Sequence, residues 1–122
     1  MIISPSNPIV SIGTILSVTG VKEALKERRT KIVAVSPIVG GRPIKGPADK
    51  LMQGVGLEVS AYGVAAFYQD FLGTFIIDRV DETEKVRIEG LGINVIITNT
   101  IMREMEDKIQ LANVVLRSVG IR

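Results

Sequence analysis

SPIVGGRPIKGPADKLM, residues 36–52, is entered from the apolar run KIVAV (31–35) and left through the short amphipathic pattern ADKLM (48–52). A short run of β-branched residues reads as a strand buried on both faces. Pro47 suits a first helical position, and Asp49 suits the first helical turn. The stretch therefore reads strand, glycine-rich loop, helix, which is the repeating unit of an α/β layered fold. Such a loop is also one way to build an anion site. Gly40, Gly41 and Gly46 let backbone N–H groups approach a ligand, and a helix N-terminus adds partial positive charge. Arg42 has the planar fork that grips a phosphate through two parallel N–H bonds, Lys45 adds a point charge, and Ser36 offers a hydroxyl at the strand end. On their own, the same glycines and cations also fit an exposed turn with solvated charges.

Working outward, the same alternation recurs. MIIS (1–4) reads as a short strand, and SPSNP (4–8) as a loop broken by its prolines. Residues 11–18 suggest a helical turn, and VKEALKER (21–28) a short helix with Val21, Ala24 and Leu25 on one face. After the glycine loop, Ser60 opens a longer helix closed by Gly73. Its core stripe is Val64, Phe67, Tyr68, Phe71 and Leu72. Thr74–Ile77 and Asn94–Thr98 read as strands separated by a short helix over 83–91. Arg103–Val119 reads as the last helix, with Met105, Ile109, Ala112, Leu116 and Val119 expected to be buried and Glu104–Lys108 expected to form an ion pair. Met102 and Met105 read as core fillers. The order predicts one α/β domain over 1–122: a three-layer, mostly parallel, doubly wound Rossmann-like sheet with right-handed crossovers.

Composition narrows the chemistry. With 46% hydrophobic and 23% charged residues the chain is globular. It has no Cys and no His, which removes disulfides, thiolate catalysis and imidazole bases. Acid–base work then falls to Asp, Glu, Lys, Tyr or a metal-bound water. A net charge of +2 and five Phe and Tyr residues argue against nucleic acid, and the basic group Lys26, Arg28, Arg29 and Lys31 reads as a solvated face. No apolar run is long enough to cross a membrane, and a cytoplasmic location is expected.

PSNPIVSIGTIL (5–16), SPIVGGRPIKGPADKLM (36–52), SAYGVAAFYQDFLGTFIID (60–78) and NVIITNTIM (94–102) together resemble the C-terminal part of the 2-phospho-L-lactate transferases, the CofD-like enzymes of coenzyme F-420 biosynthesis. The resemblance covers nearly the whole chain. It implies a doubly wound enzyme that moves a phospholactyl-type group from a guanosine diphosphate conjugate to the deazaflavin Fo and releases GMP. Mg2+ is the expected cofactor. Catalysis of that kind rests on positioning and charge neutralisation. Family members are longer, and their N-terminal half carries a glycine-rich turn and acidic residues absent here. The resemblance therefore implies an incomplete C-terminal part: a truncated chain, a split subunit or a remnant. The alternative is a non-catalytic nucleotide-binding or assembly module that needs a separate N-terminal half. A homo-oligomer, or pairing with that half, is expected.

The resemblance also bears on further positions. Ser6 and Asn7, held between Pro5 and Pro8, are candidates for guanine, ribose or phosphate contacts, although an Asx-type turn explains them equally. Asp78 and Asp81 follow a strand, where α/β sites gather, and are candidate Mg2+ or ribose contacts; turn and capping chemistry is the competing reading. Thr98, Asn99 and Thr100 follow the fourth strand and are candidates to line the same crevice, with capping of the last helix as the favoured reading. Tyr62 and Tyr68 are candidates for stacking on a deazaflavin ring. No residue is assigned a catalytic role.

Overall fold

The structure, a computed structural model, describes residues 1–44 and 46–120. Lys45, one of the expected phosphate contacts, lies outside the described residues. Four strands form a parallel sheet in the order β1 (Ile2–Ile3), β2 (Val33–Val35), β5 (Thr74–Asp78) and β6 (Asn94–Thr98). Helices lie on both faces, as the alternation predicts.

Side chains alternate across a strand, so the register assigns each to a face. Ile3, Ala34, Phe75 and Val95 line up across the sheet on the first face. There they meet Ala48 and Met52 of α3 (Ala48–Gly54), Ala61, Val64, Ala65 and Tyr68 of α4 (Ala61–Tyr68), and Ile88 of α5 (Lys85–Glu89). The segment between β1 and β2 covers the same face through Ile9, Ile12, Leu16 and Leu25. It holds a π-helical turn (Pro8–Ile12), α1 (Gly13–Leu16) and α2 (Val21–Lys26). Val33, Val35 and Ile76 point to the second face, where Leu111 and Val115 of α6 (Met105–Ser118) cover them.

Several local expectations are corrected. The helix opened by Ser60 ends at Tyr68. Phe71 and Leu72 lie beyond it in a turn, both N–H groups donating to the Tyr68 carbonyl, and the chain enters β5 at once. Gly73 closes this turn because a Cβ there would stand 2.1 Å from the Arg29 carbonyl oxygen. The buried face of α6 is Leu111 and Val115, while Met105 and Ile109 are 67% and 49% exposed. Met102 is 41% exposed, so neither methionine fills the core. Glu104 forms no salt bridge to Lys108 among the described residues. It is the N-cap of α6, in a reciprocal box with Asp107, which leaves no role in capping for Thr98, Asn99 or Thr100.

Candidate functional site

Because the four strands run the same way, their C-terminal ends share one edge of the sheet. That edge gathers Ser4–Asn7 after β1, Ser36 after β2, Asp78 at the end of β5 and Thr98–Thr100 at the end of β6. In open α/β sheets this edge is where ligands bind.

The glycine loop is a hairpin. β3 (Ile38–Val39) pairs antiparallel with β4 (Arg42–Pro43), Ile38 opposite Pro43 and Val39 opposite Arg42. Gly40 and Gly41 are the two turn residues, with φ of 61° and 79°. A two-residue turn with both φ positive matches the twist of the paired strands and takes glycine at little cost. The turn is tied to the rest of the site by Asp81, whose Oδ1 and Oδ2 accept from the Gly40 N–H at 3.1 and 3.2 Å. Arg42 is exposed beyond the turn, and no salt bridge among the described residues involves it. Gly46 is exposed with φ 78°. Ser36 is fully buried; its Oγ donates to the Ile38 carbonyl at 2.9 Å and accepts from the Ile38 N–H at 3.2 Å. Its hydroxyl thus shapes the entry to the hairpin.

Asn7 Oδ1 accepts from the Ile9 and Val10 N–H groups at 2.9 and 3.2 Å. Asn7 is therefore the cap of the turn that Pro8 starts. Ser6 shares a 2.9 Å hydrogen bond with Ser4. Both residues are half-buried.

Asp78 and Asp81 are both buried. Asp78 Oδ1 accepts from the Thr100 N–H at 2.8 Å and from Thr100 Oγ1 at 3.2 Å, and Oδ2 accepts from the Val80 N–H at 3.0 Å. It ties the end of β5 to the loop after β6. Burial pushes the Asp81 carboxyl above the ordinary range; the Gly40 N–H opposes this, and nearby Glu84 and Asp78 add to it. Asp78, Val80, Asn99, Ile101, Arg103 and Asp107 line a cavity of about 380 Å³ at this edge. Among the described residues, no three acidic side chains come together as a metal set. Both strand-end carboxylates accept from N–H groups, which is the turn chemistry that competes with a metal role for them.

Neither tyrosine offers a free face at this edge. Tyr68 is a core residue between Phe67 and Phe71, with ring centroids 5.6 Å apart in both pairs. The Arg87 guanidinium lies 4.2 Å over the Tyr62 ring. Arg87 also bonds Glu58 and Glu84, each at 2.7 Å, which holds the Glu58 carboxyl below its usual range.

The hairpin and the two carboxylate ties were not anticipated from the sequence. The Gly-Gly pair between Ile38-Val39 and Arg42-Pro43 is the signal for the first. The ties had no local signal, since Asp81 reaches back 41 residues and Asp78 forward 22.

The protein-family profile described as "2-phospho-L-lactate transferase CofD" matches residues 1–115. The 2-phospho-L-lactate transferase of Methanosarcina mazei is 46% identical over 118 residues, 97% of this chain and 38% of that protein. The protein of that name from Methanocaldococcus jannaschii is 47% identical over 120 residues, 98% of this chain and 37% of that protein. The chain thus spans less than two fifths of the length of the curated relatives it matches. With the profile covering nearly all of it, the chain belongs to the 2-phospho-L-lactate transferase CofD family.

Proposed function

We propose that this chain forms the glycine-hairpin wall of a 2-phospho-L-lactate transferase. The reaction is transfer of a phospholactyl-type group from a guanosine diphosphate conjugate to the deazaflavin Fo. A ribityl hydroxyl oxygen of Fo attacks the phosphorus that bears the lactyl group. The P–O bond to GMP breaks, GMP leaves, and the hydroxyl proton passes to a base or to water. The observation that supports this reading is that Ser6–Asn7 follow β1 and the Gly40–Gly41 hairpin with Arg42 follows β2, both leaving the C-terminal edge of a parallel sheet, in a chain matched by the family profile over residues 1–115.

The proposal assigns the roles. Arg42 neutralises diphosphate charge, and the Gly41 and Gly46 backbone comes close to the phosphates. Asn7 presents its Nδ2 amide, since Oδ1 is engaged as a cap. Ser36 acts through the shape of the hairpin. Lys45 is a further phosphate contact in this proposal. Mg2+ belongs to the proposed reaction, with carboxylates from outside this chain as its main ligands. No helix of the described residues is long and apolar enough to cross a membrane. A cytoplasmic setting belongs to the proposal.

The test is a chimera in which this chain replaces the matching part of the Methanosarcina mazei protein. Product formation from Fo is followed by chromatography. Arg42→Ala is expected to lower kcat/KM by about a hundredfold, the order expected when a charge-assisted contact is lost. Unchanged kcat/KM in Arg42→Ala and in Asn7→Ala would remove the reading. A second reading, a nucleotide-binding module completed by a separate N-terminal half, is favoured by the outer edge of β1, which has no strand partner among the described residues. Product analysis on the chimera tells the two apart: a non-catalytic module binds GDP and forms no product from Fo.

A further inference from the structure

A cavity of about 220 Å³ lies at the edge of the sheet opposite the glycine hairpin, where β2, β5 and β6 begin. Register puts Thr74 and Asn94 side by side on the second face, and Ser118 at the end of α6 lines the same cavity. Arg29 and Thr30 enter from the 3-10 turn Arg29–Lys31 that precedes β2. Arg29 is half-buried, and its Nη2 donates to the Gly92 carbonyl at 3.2 Å, a tie across 63 residues. That bond sets the guanidinium in the cavity wall. Among the described residues, its other N–H groups have no hydrogen-bond or salt-bridge partner.

Thr74 is only 9% exposed, and its hydroxyl has no hydrogen-bond partner among the described residues. A hydroxyl at that depth ordinarily has one, because leaving water without a partner costs free energy. The oxygen is not sealed off, so the cavity is the side from which a partner reaches it. Thr30 and Asn94 add an exposed hydroxyl and an exposed amide, neither bonded through its side chain among the described residues. The lining holds one full positive charge and no carboxylate. Asp70, the acid in the field of Arg29, is paired with Lys22 at 3.1 Å. The C-terminal end of α6 carries about half a negative charge at most, which opposes an anion. Three of its last carbonyls already accept hydrogen bonds: Val115 from the Ser118 hydroxyl at 2.6 Å, Leu116 from the Val119 N–H at 3.3 Å and Arg117 from the Gly120 N–H at 3.0 Å. Arg29 therefore decides the sign of the cavity, and the exposed Lys26, Arg28 and Lys31 extend its field.

We infer that this cavity binds a small tetrahedral oxyanion of the phosphate class, at a site separate from the glycine hairpin. A planar guanidinium with free N–H groups matches two oxygens of such an anion, and the Thr74 hydroxyl supplies a donor for a third. The cavity, at about 220 Å³, is smaller than the roughly 300–1,000 Å³ that encloses a drug-sized ligand, so it suits a phosphate group rather than a nucleotide. The anion joins the starts of three strands to the end of α6, and its binding stabilises the folded chain by mass action. The site lies across the sheet from the hairpin and does not depend on the transferase reading. Inorganic phosphate and the phosphate end of a small monoester present the same oxygens, and the experiment separates them.

The experiment follows amide shifts of the isotope-labelled chain by NMR. The titrants are potassium phosphate, glycerol phosphate, and potassium chloride at matched ionic strength. Phosphate is expected to produce saturable shifts at Thr30, Gly92 and Asn94, and chloride none that saturate. Arg29→Gln keeps a donor for the Gly92 carbonyl and removes the charge; it is expected to weaken phosphate binding about tenfold, the order of one charge-assisted contact. Thr74→Val keeps the shape and removes only the hydroxyl. It is expected to weaken binding about threefold, and to melt at or above the parent without phosphate because a buried group lacking a partner is gone. Arg42→Ala is expected to leave the affinity read at these amides unchanged, which separates the site from any phosphate held by the hairpin. Equal affinity for phosphate and glycerol phosphate identifies the phosphate end of a small ester as the ligand; phosphate binding alone identifies the free anion, and either supports the site. Shifts that do not saturate, shifts that chloride reproduces, or an affinity unchanged in both Arg29→Gln and Thr74→Val would each overturn it.

Discussion

Asp81 does at residue scale what no motif announced: it holds the first glycine of the hairpin from another loop. Two effects compete at its carboxyl. Burial disfavours the charge, and the Gly40 N–H favours it; burial is the larger. The folded-state pKa therefore lies above the unfolded value. Stability from the neutral form is fully present below the unfolded pKa and is lost as pH rises through the folded one. Asp81→Asn keeps an acceptor for Gly40 without the buried charge. It is expected to melt at or above the parent at pH 7, with the difference vanishing below the ordinary carboxylate range. Asp81→Ala removes the acceptor and is expected to cost about 1 kcal/mol. Thermal melts across pH read both, and an Asn variant that melts well below the parent at pH 7 would refute the balance. Gly63 is a second residue whose identity is set by one contact. A Cβ there would stand 1.8 Å from the Glu58 carbonyl oxygen and 3.3 Å from Met52 Cε. Alanine gains up to about 1 kcal/mol in a helix interior. Here the backbone clash outweighs that, and Gly63→Ala is expected to destabilise by about 3 kcal/mol in urea titration. Both residues were plain in the sequence as types, but their partners lie elsewhere in the chain, and local pattern carries no record of that.

The elements were legible to the extent that their signal is local. Period and flanking residues located all four strands of the main sheet, and the Ser60 N-cap is confirmed by its 2.9 Å bond from the Gly63 N–H. The hairpin β3–β4 was missed because its strands are two residues each, too short to show alternation. The face of α6 was misread for a different reason. Apolar residues occur around much of the helix, so Met105–Ile109–Leu116 and Leu111–Val115 are both credible stripes. Docking on Val33, Val35 and Ile76 selects the second. The two stripes make opposite predictions. Leu111 is 5% exposed, and Leu111→Ala is expected to cost about 2–3 kcal/mol. Met105 is 67% exposed, and Met105→Ala is expected to fall within about 0.5 kcal/mol of the parent. Urea midpoints at constant slope decide between them, and equal losses would return Met105 to the buried face.

Across the whole molecule the two layers are unequal. Among the described residues, sixteen buried ones form the cluster on the first face, whereas five form the one on the second. Leu111 and Val115 are the buried anchors of α6. Burying a large aliphatic side chain contributes about 1.5–3 kcal/mol, so two anchors hold the helix with only a few kcal/mol before the cost of ordering it. β2 and β5, by contrast, are buried along their whole length and lie under both layers. The layers should then open at different free energies. In native-state hydrogen exchange the amides of Phe75, Ile76 and Ile77 are expected to report the global unfolding free energy. Those around Leu111 and Val115 are expected to exchange through a smaller opening, about 2 kcal/mol or more below it. Leu111→Ala should lower the α6 value while moving the β5 value less. If α6 and β5 exchange at one common free energy in the isolated chain, the second layer is as firmly held as the first, and the sheet needs nothing further on that face to be secure.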